Sequence, residues 1–424
     1  IFDLASVSNI QVLKGPQGTL FGRNATGGAL LLTTLDPSFE FEGRLKASYE
    51  RFGTARASGY VNVPISESVA ANLAVAYRHS DGYIHDLSTG AIANEGEDYS
   101  IRGKILFQLT DDISLTLAAY RSRFDDPTGS DYQAVLMAPG IESTAAALHL
   151  PISRDRFHVS HNVPGVVETG SDQYSAILKW KTDFGTFQSI TSYQKGNLHS
   201  VNDLDVSYLP LLFADFETAA RVFTQEVNLT SNPGAAFEYV AGIYYYRNKG
   251  SQPTPFVLNI PFTSIREFQY QNVGRSTAIS GYFDGSYHIG NWVLIGGLRF
   301  TSEDRVADTH FFATAAGQKA GDRHQEGTES VWTPRVGVRY ELTPSSNLYA
   351  VYTRGYKAGI FDTTGATSSP VRPEFVDAYE VGYKVSTPDL NLSAAAYYYD
   401  FSDMQVSSYV VDAGTGALFN RTLN

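Results

Sequence analysis

The sequence of 424 residues contains no cysteine and only 2 methionines. Without cysteine, disulfide bonds, thiolate metal sites and thiol nucleophiles are all excluded. A large extracytoplasmic protein of this composition would have to obtain its stability from another source, such as a closed β-sheet.

Long hydrophobic runs and clusters of basic residues are also missing. No apolar segment approaches the roughly 20 residues that a membrane-spanning helix requires. The formal net charge is -12, and no segment collects lysine and arginine as a nucleic-acid-binding face would. These absences argue against a helical membrane protein and against nucleic acid as a partner.

Aromatic residues, by contrast, are abundant, and apolar and polar residues alternate along most of the chain. The sequence contains 27 tyrosines and 25 phenylalanines. In "RLKASYE", Leu45, Ala47 and Tyr49 fall on one face of an extended segment. This period of two predicts half-buried β-strands. About fifteen such segments are present, most of about ten residues, which is the length of a tilted transmembrane strand.

The connections between these segments alternate between short and long. Tight turns on one side and extended loops on the other are typical of an outer-membrane barrel. A propeller would instead show a repeat of roughly 40 to 50 residues, and none is found. The sequence therefore predicts an all-β fold, a transmembrane antiparallel β-barrel. The long connections are at residues 82–97, 125–170, 198–216, 249–270, 303–326 and 358–372.

The segment "QVLKGPQGTLFGRNATGGALLLTT" (residues 11–34) places five glycines between two apolar runs. A phosphate-binding loop needs a lysine after the glycines and a dinucleotide-binding loop needs a following helix. Here Lys14 precedes the glycines and "ALLLTT" predicts a strand, while a flexible linker would lack the apolar flanks. The segment is therefore predicted to form a strand, tight turns and a second strand. Glycine can adopt the positive φ that such turns need, and proline fixes the start of a turn.

The same segment resembles the end of the plug domain of TonB-dependent outer-membrane receptors. "VDAYEVGYK" (residues 376–384) and the segment after it resemble late barrel strands of that family, and the resemblance runs over the whole chain. The plug motif residues that the resemblance identifies are Lys14, Gly15, Pro16, Gly18, Gly22, Arg23, Gly27 and Gly28.

The resemblance implies a plug inside a barrel of about 22 strands, of which about fifteen are present here. Residues 1–38 would be the C-terminal end of the plug domain and residues 39–424 a partial outer-membrane barrel. We expect the chain to be a fragment, with an N-terminal box and most of the plug before Ile1 and the last strands after Asn424. Gln11 departs from the acidic residue usual at that position.

The family resemblance also implies a function. Such receptors import a scarce ligand, usually a ferric siderophore and sometimes cobalamin, haem or an oligosaccharide, energised by the TonB complex of the inner membrane. The protein would then lie in the bacterial outer membrane, in contact with its lipids, as a monomer without a cofactor. A passive porin or adhesin-type barrel is the alternative, but neither needs a plug motif. No nucleophile–base pattern indicates an enzyme, so no catalytic residue is predicted.

Alternation places Glu226 and Glu380 on the lumen face of their strands. Because basic plug residues pair with barrel glutamates in the family, the hypothesis is that Lys14, together with Arg23, contacts Glu226 and Glu380. Such a contact would hold the plug yet yield to pulling. The alternative is that both glutamates are merely solvated lumen residues.

Metal binding is not predicted. His158 and His161 lie three apart in the longest loop, without acidic residues at close spacing. Ligand contacts are expected from the plug apex and the long loops, but the sequence does not single out the residues.

Overall fold

The computed structural model describes residues 6–126, 143, 146–149, 157–163, 165–203, 213–253, 256–259, 267–312, 321–361, 370–411 and 418–424. Within these residues the chain is mostly β-structure; the helix whose two ends are both described is the four-residue α1 (Gly18–Phe21). No helix among them is long and apolar enough to cross a membrane. The strands are β1 (Val7–Lys14), β2 (Gly28–Thr34), β3 (Glu42–Glu50), β4 (Thr54–Ser66), β5 (Val69–Ser80), β6 (Ile84–Asp86), β7 (Ile92–Ala93), β8 (Gly96–Gln108), β9 (Ile113–Asp126), β10 (His158–Val159), β11 (Val166–Thr182), β12 (Gly185–Asp203), β13 (Phe213–Ser231), β14 (Phe237–Ser251), β15 (Phe256–Asn259), β16 (Glu267–Ile289), β17 (Trp292–Phe311), β18 (Gly321–Thr343), β19 (Ser346–Lys357), β20 (Glu374–Ser386), β21 (Asn391–Ser402), β22 (Val406–Val411) and β23 (Leu418–Leu423).

One large antiparallel sheet dominates the molecule. Fifteen strands follow one another from β3 to β21, each hydrogen-bonded to the strands before and after it, and β15 pairs at the side with β13 and β16. β3 and β21 are the edges of this path among the described residues. The prediction of an all-β antiparallel fold with about fifteen barrel strands is confirmed. β1 and β2 form a separate sheet, and the first strand of the large sheet begins at Glu42.

Side chains alternate between two faces of the large sheet, as the period of two requires. On β13, Val227 is 48% exposed, whereas its neighbour Asn228 is 9% exposed. On β17, Leu298 is 43% exposed and Arg299 only 4%. The apolar side chains therefore form the outer face and the polar side chains the inner face, which is the pattern of a barrel in lipid.

The two ends of the sheet differ in the length of their connections. Seven connections on one side are short, whereas the connections on the other side are long, apart from residues 51–53 between β3 and β4. The predicted alternation is thus present, and this first long-side turn is the exception. The short connections are residues 67–68, 109–112, 183–184, 232–236, 290–291, 344–345 and 387–390.

Two aromatic pairs mark the limits of the membrane-spanning part on β17 and β18. The rings of Trp292 and Tyr340 are 4.6 Å apart near the short turns, and those of Phe300 and Trp332 are 4.7 Å apart toward the long loops. The stretch of β17 from Trp292 to Phe300 matches the roughly 9 to 11 residues of a tilted transmembrane strand. Beyond Phe300 the outer face becomes polar, so the strands there have left the membrane.

Candidate functional site

The glycine-rich segment folds as a hairpin that encloses α1. β1 and β2 pair from Val7↔Thr34 to Lys14↔Gly28. The segment between them is closed by a hydrogen bond from Gln17 N to Ala25 O (2.9 Å). Gly22 ends the helix with a φ of +73°, a conformation that glycine adopts without strain.

The helix of this hairpin is seated on the inner face of β18 and β19. Thr19 Oγ1 donates to the carbonyl oxygen of Thr333, and Thr333 Oγ1 donates to that of Gly18, each at 3.0 Å. A Cβ atom at position 18 would lie 2.5 Å from the carbonyl oxygen of Arg354. Only glycine therefore permits this close approach of the plug motif to the barrel wall.

Two further hydrogen-bonded contacts fix the hairpin on the wall. Asn24 N donates to Tyr356 O at 2.8 Å, and Ala358 N donates to Asn24 Oδ1 at 3.0 Å. Arg299, which is almost fully buried, donates through Nη1 to Leu20 O at 3.2 Å. These contacts orient the tip of the motif toward the long loops.

Arg23 makes the charged contact between the motif and the barrel. Its guanidinium forms an ion pair with Glu303, donates to Ser276 Oγ at 3.2 Å, and lies 4.2 Å from the ring centroid of Tyr246. The side chain of Glu303 is only 2% exposed. A buried carboxylate requires such a partner, because an isolated buried charge is costly.

The acidic partner of Arg23 thus differs from the two glutamates expected from the sequence. Glu226 Oε1 accepts hydrogen bonds from the Tyr282 hydroxyl and from Asn228 Nδ2. Glu380 Oε1 accepts one from Tyr349 at 2.5 Å. Both glutamates face inward, but tyrosines of other barrel strands donate to them, Tyr282 from β16 and Tyr349 from β19. Glu303, in contrast, lies on β17 next to the strands that seat α1.

Lys14 lies on the same cavity wall as Glu380. In the part of the chain that the structure describes, no carboxylate oxygen lies within 4 Å of its Nζ. Of the proposed contact residues, the structure therefore brings Lys14 and Glu380 to one cavity and Arg23 to Glu303. The inward face of β17 could have been predicted from alternation, but nothing in the sequence selects Glu303 from the other inward acidic residues.

A cavity of about 1210 Å³ opens above the tip of the plug motif, on the side of the long loops. Arg23, Asn24 and Thr26 of the motif line its floor. Amide side chains and small residues make up much of its walls, so the cavity offers many hydrogen-bonding groups, and its charged lining residues are four cations and two carboxylates. The amide-bearing wall residues are Gln194, Asn197, Asn248, Gln252 and Asn272. We call this cavity the vestibule.

Arg305 is a charged residue of the vestibule wall. Its Nη2 lies 3.1 Å from Glu329, while Nε and Nη1 are buried without a hydrogen-bond partner among the described residues. Glu329 lies beyond Trp332, outside the membrane-spanning part; burial raises its pKa, and the Arg305 guanidinium opposes that shift. Arg305 therefore places a positive charge on the vestibule wall, with two of its donors buried beneath the surface.

The described residues contain no group of three or more potential metal-ligating side chains. His158 lies in β10 beside β6, and its ring is 5.8 Å from that of His85. His161 is buried near these strands.

Comparison with known proteins places these features in a family. The pesticin receptor of Yersinia pestis is 24% identical over 414 residues, covering 96% of this chain and 58% of the relative. The metal-pseudopaline receptor CntO of Pseudomonas aeruginosa is 24% identical over 435 residues, covering 93% and 57%. The chain thus spans a little over half the length of these curated relatives.

Solved structures show the same fold. The ferric yersiniabactin uptake receptor FyuA from Yersinia pestis superposes with a TM-score of 0.82 at 18% identity, covering 95% of this chain and 61% of that chain. The alcaligin outer membrane receptor FauA from Bordetella pertussis gives 0.66 at 16% identity, covering 100% and 62%. The expected location in the bacterial outer membrane agrees with these findings. The family model described as TonB dependent receptor-like, beta-barrel matches residues 151–423, well over half of the chain, so the chain belongs to the TonB-dependent receptors.

Proposed function

We propose that this protein imports a scarce nutrient across the outer membrane in a TonB-dependent manner, with a ferric siderophore as the leading substrate class. The observation that carries the proposal is the plug motif seated under the vestibule, held by the Arg23–Glu303 ion pair. A ligand in the vestibule would lie directly on the motif residues that the ion pair holds. Ligand binding and plug position would then be coupled through shared residues.

The ion pair is the proposed plug–barrel contact. Arg23 and Glu303 would hold the plug in the resting receptor and separate when the TonB complex of the inner membrane, the proposed partner, pulls on the plug. Residues 1–38 are accordingly assigned to the plug and residues 39–424 to the barrel. We further propose that the receptor acts as a monomer embedded in outer-membrane lipids and carries out no catalysis.

The proposed substrate class is supported by the relatives and by the vestibule. The names of two similar proteins refer to ferric yersiniabactin and to metal-pseudopaline. Arg305 supplies a guanidinium charge on the vestibule wall that can attract the oxygen atoms of a chelate. The amide-lined walls equally suit a neutral ligand rich in hydroxyl groups, so an oligosaccharide is the second candidate; haem would need a more apolar cavity. A passive porin is disfavoured because the seated motif occupies the lumen.

The test uses cells that express the full-length receptor. Uptake of radiolabelled ferric siderophores is followed with and without an uncoupler that collapses the proton gradient. Import should require both the receptor and the gradient. Arg305→Gln should weaken ligand binding by about tenfold, whereas Arg51→Gln, an exposed residue of the turn between β3 and β4, should not.

The other outcomes would contradict parts of the proposal. An uptake rate that is the same with and without the uncoupler would favour a porin. Failure to bind any iron complex would exclude the siderophore and favour an oligosaccharide, which the same assay with labelled oligosaccharides would then measure.

A further inference from the structure

Two carboxylates and two guanidiniums meet on the inner face of β17 and β18, where the plug motif reaches the vestibule. Glu303 lies directly opposite Glu329 in the strand register. Arg23 of the motif pairs with Glu303, and Arg305 of the barrel pairs with Glu329. We call these four residues the charge cluster. Its charges balance while the motif is seated, but withdrawal of Arg23 would leave two carboxylates with a single cation.

The Arg305 guanidinium already lies at the level of Glu303. Arg305 is directly opposite Gly327, but its Nη2 atom is 3.1 Å from Glu329 Oε2, two positions nearer the short turns. Because Glu303 and Glu329 are opposite each other, the Arg305 side chain bends toward the level of both carboxylates. The α-carbons of Arg305 and Glu303 are about 7 Å apart on the same face of β17.

Buried polar atoms without a partner are present on both sides of the gap between Arg305 and Glu303. Glu303 Oε1 accepts hydrogen bonds from Arg23 and Ser276, whereas Oε2 is buried and has no hydrogen-bond partner among the described residues. Arg305 Nε and Nη1 are likewise buried without a partner in the described part of the chain. Such groups are costly to leave unpaired. A rotation of the Arg305 side chain would bring its two donors to the unpaired oxygen.

Other inner-face cations are less well placed to reach Glu303. Arg299 lies four positions away on β17, about 13 Å along the strand. Lys357 lines the vestibule from the end of β19, two strands away. Arg305, two positions away on the same strand, is the better placed replacement for Arg23.

The two carboxylates of the charge cluster influence each other. Burial raises the pKa of Glu329, the Arg305 guanidinium opposes that shift, and the Glu303 carboxylate adds to it. Loss of Arg23 would therefore leave each carboxylate facing the other with less compensation. A cation shared between Glu303 and Glu329 would relieve this repulsion.

We propose that Arg305 replaces Arg23 at Glu303 when the plug motif leaves its seat, so that one guanidinium bridges Glu303 and Glu329. A guanidinium has five N–H donors in a fixed fork and can serve two carboxylates at once. The exchange stabilises the barrel with the motif withdrawn and lowers the free energy that the TonB complex must supply. Arg305 is thus a positioning residue for plug release. This inference rests on the proposed function, because it assumes that the plug leaves its seat during import.

The test measures how readily the motif leaves its seat in the purified full-length receptor, without ligand and without the TonB complex. Thr19 is 3% exposed, so a cysteine in Thr19→Cys should react with a maleimide only after α1 has left its seat. The labelling rate is followed at urea concentrations below those that unfold the barrel, and the receptor without this cysteine gives the background.

Arg305→Gln should slow the labelling of Thr19→Cys by about tenfold, because the freed Glu303 then has no replacement partner. The direction of the change is diagnostic. A residue that merely supported the seat would speed labelling when it is removed, since its loss would loosen the motif. Arg305→Lys keeps the charge and should restore part of the labelling rate.

Matched variants separate the exchange from a general effect of charge. Arg339→Gln removes another inner-face arginine of β18 that pairs with a glutamate, Glu341, and should leave the labelling rate unchanged. In a Glu303→Gln background no carboxylate is freed, so adding Arg305→Gln should have no further effect. All variants should keep the heat-modifiable electrophoretic mobility of a folded barrel.

An unchanged labelling rate in Arg305→Gln would overturn the inference, because water would then suffice for the freed Glu303. Faster labelling, or equal slowing in the Glu303→Gln background, would overturn it as well. The uptake assay tests the proposed function separately. Gradient-dependent uptake together with an unchanged labelling rate would remove the exchange alone, whereas uptake that is independent of the gradient would contradict the proposed function and the role of Arg305 in import.

Discussion

At the scale of single residues, the Arg23–Glu303 pair is the contact that we propose to hold the plug. Its carboxylate is almost fully buried and its guanidinium is about a quarter exposed. Removing one partner of such a pair leaves a buried charge without compensation, which costs about 3 kcal/mol or more. An exposed pair contributes about 1 kcal/mol or less. The two situations can be compared within this chain.

Arg23→Gln should therefore lower the free energy of unfolding of the full-length receptor by about 3 kcal/mol. The control is Arg56→Gln, because Arg56 pairs with Glu50 and both side chains are half exposed. Differential scanning calorimetry and limited proteolysis of the plug motif are the measurements. Replacing both partners, as in Arg23→Met with Glu303→Leu, should recover part of the loss. Equal destabilisation by Arg23→Gln and Arg56→Gln would argue against the assigned role.

His324 and Asp308 make a pH-sensitive contact on the outer face beyond the membrane. Their Nδ1 and Oδ1 atoms are 2.6 Å apart. The hydrogen bond to Asp308 raises the pKa of His324, and the hydrogen bond from His324 lowers the pKa of Asp308. The histidine contribution to stability is present below its ordinary pKa of about 6.5 and is lost as pH rises through the raised value. The aspartate contribution is present above about 3.9 and is lost as pH falls through the lowered value.

The contact should thus be strongest between about pH 4 and pH 6.5. In an NMR titration of histidine resonances, His324 should titrate above its ordinary range, and Asp308→Asn should return its midpoint toward that range. The resonance is assigned by its absence in His324→Gln. An unchanged midpoint in Asp308→Asn would show that the hydrogen bond does not set the pKa of His324.

At the scale of structural elements, the seat of α1 depends on the absence of a side chain at position 18. A Cβ atom there would lie 2.5 Å from a backbone oxygen and 3.0 Å from Thr333 Cγ2, whereas a Cβ atom at position 27 would have nothing within 4 Å. Gly18→Ala should cost about 1 to 3 kcal/mol of stability through overpacking. Gly27→Ala should stay within about 0.5 kcal/mol. Chemical denaturation of the full-length receptor measures both, and equal effects would contradict the close approach of Gly18.

The two faces of β13 should respond differently to a charge. Val227 belongs to the outer face, and an arginine there near the bilayer midplane should cost about 2 to 4 kcal/mol. Thr224→Arg places the same charge on the lumen face of the same strand, where water and polar groups can solvate it. Folding into lipid vesicles at increasing urea concentration would measure the difference. A larger penalty for Thr224→Arg would reverse the assignment of the two faces.

At the scale of the whole molecule, local patterns account for most of the fold. Period-two alternation and the lengths of the connections depend on neighbouring residues, so the antiparallel barrel strands and their order could be predicted from the sequence. The strand–turn–strand form of the glycine-rich segment could likewise be predicted from its glycines and apolar flanks, whereas its identification as a plug motif depended on the family resemblance. The short turn at residues 51–53 could not be predicted from the alternation, because it breaks the pattern of long connections on its side.

The partner of Arg23 could not be predicted, and the reason is physical. Four glutamates face the lumen, and the alternation of side chains along the strands does not distinguish one from another. They are Glu226, Glu303, Glu329 and Glu380. Which of them meets the motif depends on the stagger of the strands and on where α1 is seated. Those are long-range properties of the folded sheet.

The central claim is that the plug motif, held at its seat in the resting receptor, must leave that seat during energised import. Because this sequence has no cysteine, a disulfide can be introduced in the full-length receptor between Thr19→Cys and Thr333→Cys, at the reciprocal hydrogen bonds of the seat. Its formation is read by electrophoresis, and uptake of the labelled substrate is measured before and after reduction.

The oxidised variant should bind substrate but fail to import it, and a reductant should restore import that an uncoupler abolishes. Each single cysteine variant should import at the wild-type rate under both conditions. Import at the wild-type rate by the fully cross-linked receptor would contradict the account, because the motif would then not need to leave its seat.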